Sequence, residues 1–176
     1  EAVHLFKSDE DASFAAVYDY DLSKIEPVVV RPDFVDNFAL LQEVKQEKIA
    51  IDEAFVGSCN NGRLEDLRAA ADAVRGKKVH PNVRFLVAPA SQSVYIQALN
   101  EGIIRTLLEA GAMIMNCNCS VCWGSCQGVI GENEVLISTG TRNFKGRSGH
   151  PSSKVYLANA AVTAASAIAG YITDEI

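Results

Sequence analysis

The strongest constraint on the fold is an alternation that sharpens from residue 53, in which short apolar runs end at turns and helical stretches or loops follow, without any internal sequence repeat. Ala54-Phe55-Val56-Gly57 is such a run, and it enters the turn Ser58-Cys59-Asn60-Asn61-Gly62. Residues 63–75 then read as a helix, with Leu64, Leu67, Ala71 and Val74 on one face and Gly76 as its stop. Residues 83–88 predict a second strand. A helix capped by Ser91 follows it, and a helix over 103–110 runs between Gly102 and Gly111. Residues 112–115 predict a third buried strand and 134–138 a fourth, with a long Ala-rich helix over 154–172 closing the chain. Strands alternating with helices at this spacing imply βαβ units: an α/β fold with three α/β/α layers and a mostly parallel sheet. Ligands of such sheets collect at the carboxyl ends of the strands. Cys59, the cysteine-rich loop after residue 115 and the loop 139–153 each follow a predicted strand, so all three should meet at one sheet edge.

The first fifty residues have a different character and read as an extended arm on the α/β unit of residues 51–176. Ser8-Asp9-Glu10-Asp11 is an acidic, solvated opening. Val17-Tyr18-Asp19-Tyr20-Asp21 alternates like a half-exposed strand. Val28-Val29-Val30 lies between Pro27 and Pro32, which predicts an edge strand or an extended segment. A short helix is expected within 36–48.

Composition narrows the function classes. At 48% apolar and 22% charged residues the chain is globular, and a net charge of −6 argues against generic nucleic-acid binding. No apolar stretch has transmembrane length, and the first residues carry no secretion signal. The cytoplasm is the expected location. The missing initiator Met fits a chain cut from a longer protein.

Five cysteines are present, and four of them (Cys117, Cys119, Cys122 and Cys126) fall within ten residues. A disulfide framework would space its cysteines out and pair them evenly, so the crowding points to metal, cluster or redox chemistry. The C-x-x-C pair Cys119/Cys122 can face one centre across a tight turn, and the distant Cys59 can add a third sulfur. The same residues leave open a structural zinc knot made by the four local cysteines, or a redox dithiol. Cys117 and Cys126 read best as thiols without a ligand role.

Arg142 and Arg147 lie five apart in a glycine-containing loop, where their planar guanidinium forks suit carboxylates. Solvated surface arginines are the plain alternative. The loop does not match the G-x-x-x-x-G-K-[ST] phosphate pattern. His150 reads as an exposed loop histidine, and His4 and His80 have no supporting context.

Three segments carry a resemblance: Phe55-Val56-Gly57-Ser58-Cys59-Asn60-Asn61-Gly62-Arg63-Leu64-Glu65-Asp66-Leu67, then Cys119-Ser120-Val121-Cys122-Trp123-Gly124, then Arg142-Asn143-Phe144-Lys145-Gly146-Arg147. In this order and spacing the chain resembles the aconitase superfamily. The likeness is to the C-terminal iron–sulfur domain of large subunits of the 3-isopropylmalate dehydratase and homoaconitase type. The resemblance implies a [4Fe–4S] cluster on Cys59, Cys119 and Cys122, with Arg142 and Arg147 binding substrate. It implies a hydro-lyase acting on 2-hydroxy di- or tricarboxylates: 3-isopropylmalate in leucine biosynthesis, or homoaconitate or 2,3-dimethylmalate. The rival reading is a non-catalytic iron–sulfur or zinc-binding module. Family members carry acid–base residues in earlier domains and a catalytic serine on a swivelling domain or small subunit. This chain holds no candidate for those groups, so it should be a part of a large subunit that is inactive alone and partnered by the remaining domains and a small subunit. Asn60 stands where the family has Thr, Thr141 where it has a cluster-neighbouring Asn, and Cys117 and Cys126 are additional.

Overall fold

The structure, a computed structural model, describes residues 7–176; His4 lies outside them. Strands β1 (Val28–Val30) and β2 (Phe38–Leu40) precede the short helix α1 (Leu41–Val44). Strand β3 (Glu53–Gly57) leads into the one-turn helix α2 (Ser58–Asn61) and helix α3 (Leu64–Val74). Strand β4 (Arg84–Ala88) is followed by α4 (Gln92–Asn100) and α5 (Ile103–Ala110). Strand β5 (Met113–Ile114) opens the cysteine loop, β6 (Val135–Ser138) the arginine loop, and β7 (Lys154–Leu157) leads into α6 (Ala160–Ala169).

The seven strands form one sheet in the order β2-β1-β7-β6-β3-β4-β5. The five strands from β7 to β5 are parallel, and β1 and β2 are antiparallel additions. This is the mostly parallel α/β sheet that the strand–helix alternation predicts. Side chains alternate between two cores, as strand geometry requires. Ala54, Val56, Phe85, Val87, Ile137 and Tyr156 face the helices, whereas Phe55, Leu86, Ala88, Leu136, Val155 and Leu157 face the other way. The helical layer centres on α3, which packs against α5 and α6. The opposite layer is built from the cysteine loop, through Val121 and Ile130, rather than from long helices.

Several local expectations are corrected. Residues 154–172 are not one helix: Lys-Val-Tyr-Leu pairs in parallel with β6, and the Asn159 side chain accepts from Val162 N at 2.9 Å to start α6 only afterwards. β1 is not an edge strand, because β2 pairs with its outer side. The short helix expected within 36–48 is present as α1, with β2 before it and a single 3-10 turn after it. Val17-Tyr18-Asp19-Tyr20-Asp21 forms no strand; it is exposed and irregular. β5 is an edge strand with Met113 exposed rather than a buried one.

Candidate functional site

From β3 the chain winds outward through β4 to β5, then returns across the sheet to β6 and winds the other way to β7. The crevice at the carboxyl ends of β3 and β6 is therefore the switch point of the fold. Cys59 sits there in α2, directly after β3, and is exposed. Thr139-Gly140 leaves β6 beside it. The Thr139 hydroxyl accepts from Gly57 N at 3.0 Å, and the Asn61 side-chain amide donates to the Thr139 carbonyl, tying the Cys59 turn to β6.

Cys122 reaches the same point from the other side. A side-chain carbon at Gly140 would stand 3.7 Å from Cys122 Sγ, so that thiol lies over the Gly140 backbone. Cys119 precedes and Cys122 closes a 3-10 turn, in which Cys122 N donates to the Cys119 carbonyl at 3.1 Å. Cys119 is exposed and Cys122 half-buried. The residues that seat these cysteines are strained. Ser58, before Cys59, and Ser120, after Cys119, have φ of 70° and 46°, left-handed values that non-glycine residues seldom adopt. Such strain costs about 1–3 kcal/mol per residue and gathers at functional sites. Ser120 is fully buried, its hydroxyl donates to the Gln127 carbonyl at 3.0 Å, and its N–H donates to the Asn118 side chain at 2.6 Å.

The arginine loop packs on the cysteine loop. Arg147 Nε donates to the Cys122 carbonyl at 2.8 Å, and its guanidinium lies 5.4 Å from the centre of the Phe144 ring. A Cβ at Gly124 would stand 2.2 Å from the Arg147 carbonyl oxygen, so only glycine fits there. Arg142 is exposed, with Nη1 3.2 Å from Thr141 Oγ1. Asn143 is buried and anchors the loop by donating to the Arg31 carbonyl at 2.7 Å.

Among the described residues, Arg31, Arg68, Arg75, Arg84 and Arg105 are ion-paired with carboxylates. The other three, Arg63, Arg142 and Arg147, all lie in turns that follow the carboxyl ends of β3 and β6. Arg63 was not singled out from sequence, although it stands four residues after Cys59. The signal is visible only once the acidic partners of the other arginines are known.

No group of three His, Cys, Asp or Glu side chains is gathered closely enough among the described residues to grip a single ion. A cubane cluster carries its irons at separate corners, so its thiolates need not converge on one point. Three free thiols, one of them remote, at one sheet edge fit such a cluster in donor chemistry. The four local cysteines are likewise not drawn around one point among the described residues.

The comparisons bear directly on this arrangement. The aconitase family model (aconitate hydratase) matches residues 1–170. The chain belongs to the aconitase family. Among its relatives, the 3-isopropylmalate dehydratase large subunit of Wolinella succinogenes is 48% identical over 169 residues, covering 96% of this chain and 40% of that protein. The corresponding subunit of Sulfurihydrogenibium sp. is 51% identical over 174 residues, covering 98% and 40%. A probable methanogen homoaconitase large subunit of Methanothermobacter thermautotrophicus is 48% identical over 169 residues, covering 96% and 39%. The chain thus spans about two-fifths of the length of these aconitase-family relatives. No helix among its described residues is long and apolar enough to cross a membrane.

Proposed function

We propose that this chain is the cluster- and carboxylate-binding part of a [4Fe–4S]-dependent hydro-lyase that interconverts 2-hydroxy di- or tricarboxylates, with 3-isopropylmalate in leucine biosynthesis as its substrate. The observation that carries this reading is the convergence of the Cys59 turn, the Cys122 thiol and the Arg147 loop at one switch point. Cys59, Cys119 and Cys122 would hold the cluster. Bound there, it would supply Lewis-acid activation of a leaving hydroxyl.

The chain's own residues do the positioning. Arg142 and Arg147 bind the substrate carboxylates through paired hydrogen bonds, and Arg63 adds a third uncommitted cation. The fixed Thr139-Gly140 backbone holds the two halves of the cysteine set in register. The general base that removes the proton belongs to the remaining domains of the large subunit, and a small subunit completes the site. Residues 1–50 act as an arm on the α/β unit of 51–176, within a longer, cytoplasmic large subunit. Neither nucleic acid nor membrane is a partner.

Homoaconitate is the second reading for the substrate, supported by the 48% identity to a probable homoaconitase large subunit. The test is anaerobic reconstitution of the chain followed by iron, sulfide and zinc analysis. About four irons per chain support the cluster reading, whereas one tightly held zinc supports a non-catalytic metal module. Combining the chain with the missing domains and small subunit, and assaying a panel of hydroxy acids, then separates the substrates.

A further inference from the structure

At the opposite end of β3 from Cys59 lies Glu53, a fully buried carboxylate. One oxygen, Oε2, accepts from Arg84 Nε at 2.9 Å. The other, Oε1, is buried with no hydrogen-bond partner. It faces the root of the cysteine loop: a Cβ built at Gly128 would lie 3.4 Å from Oε1 and 2.2 Å from Leu86 Cδ1. Arg84 cannot satisfy Glu53 alone, because both its terminal nitrogens go to Glu134, at 2.9 and 2.6 Å. Glu134 in turn accepts from Gly131 N at 2.7 Å, in the same root. Two carboxylates therefore share one cation beneath the segment that closes the cysteine loop.

The geometry points to Glu53 as a positioning residue that seats the cysteine loop in its protonated form and releases its root when ionised. A buried carboxylate with an orphan oxygen is stable only if neutral or hydrated. Neutral, Glu53 lets Gly128 pack directly on it. Ionised, it draws water into the contact and lifts residues 127–131, to which Ser120 is tied through the Gln127 carbonyl. The charged groups facing Glu53 are Arg84 from β4 and Glu134 from the turn before β6. Neighbouring Asp52 is engaged with Val135 N at 2.8 Å, and the loop itself contributes only backbone. Burial, only partly offset by the hydrogen bond and charge of Arg84 and helped slightly by the Glu134 charge, pushes the Glu53 carboxyl up to about 7.

Trp123, the only tryptophan in the chain, lies in this loop and reports on it. Its fluorescence, followed from pH 5 to 8, should show one transition with a midpoint near pH 7. Glu53→Gln should abolish the transition and hold the loop in its low-pH state. Glu134→Gln should move the midpoint to lower pH, because Arg84 is then free to pair with Glu53. His150→Asn should leave it in place. A wild-type chain without the transition, a Glu53→Gln chain that keeps it, or its loss in His150→Asn would overturn the proposal. Should Glu53→Gln fail to fold, an unmoved midpoint in Glu134→Gln overturns it equally.

Discussion

Arg147 holds Cys122: its Nε donates to the Cys122 backbone carbonyl at 2.8 Å, so the arginine loop and the cysteine turn form one unit. Arg147→Lys keeps the charge but loses the planar fork. A hydrogen bond from a charged group is worth about 1.5–3 kcal/mol. The substitution should therefore weaken binding of a 2-hydroxydicarboxylate about tenfold or more and also reduce iron retained after reconstitution. Calorimetric titration and iron analysis on the same sample check both effects. A loss of carboxylate affinity with full iron retention would show that the two loops are independent.

Arg142 and Arg63 are exposed and make no side-chain ion pair among the described residues, in contrast to the five ion-paired arginines. Arg142→Ala and Arg63→Ala should each leave thermal stability within about 0.5 kcal/mol of wild type, as surface changes do. Each should lower dicarboxylate affinity nonetheless. Arg68→Ala serves as the comparison and should leave affinity unchanged.

Stability should fall as pH rises through the Glu53 window. The native carboxyl titrates at about 7 against an ordinary 4.5, so the folded chain keeps a proton that the unfolded chain has lost. That contribution is complete below about pH 4.5 and is lost as pH rises to about 7. Glu134 has the opposite sign: Arg84 holds its carboxyl below the usual range, so its contribution is lost as pH falls. Denaturant unfolding at several pH values should show the advantage of Glu53→Gln growing between pH 4.5 and 7, and Glu134→Gln losing its penalty in acid.

Removing the cap of α6 should be costly. Asn159 Oδ1 accepts from Val162 N at 2.9 Å and separates β7 from the helix. Asn159→Ala should destabilise the chain by about 1 kcal/mol, measured by urea unfolding, while Asn159→Ser or Asn159→Asp should retain most of the stability.

The fold was legible wherever periodicity and end signals agreed. α5, between Gly102 and Gly111, and α4, capped by the Ser91 hydroxyl at 3.3 Å from Val94 N, fall where the sequence places them. β7 was hidden because Lys-Val-Tyr-Leu runs into an Ala-rich stretch whose helical character dominates a long window. The Asn159 cap was the overlooked boundary. β1 read as an edge strand because its prolines suggest one, but the antiparallel β2 covers it through pairing that no local signal encodes. For the candidate site, strand ends were enough to place Cys59, Cys122 and Arg147 on one edge. The left-handed Ser58 and Ser120, the uncommitted Arg63 and the orphan oxygen of Glu53 were not legible, because each is defined by long-range neighbours.

The most direct test of the account replaces each cysteine by serine in turn and counts iron after anaerobic reconstitution. Cys59→Ser, Cys119→Ser and Cys122→Ser should each abolish cluster assembly, and Cys117→Ser and Cys126→Ser should assemble like the parent chain. Loss of the cluster in Cys117→Ser or Cys126→Ser, or its retention in Cys59→Ser, would contradict a three-thiolate site spanning the β3 and cysteine loops.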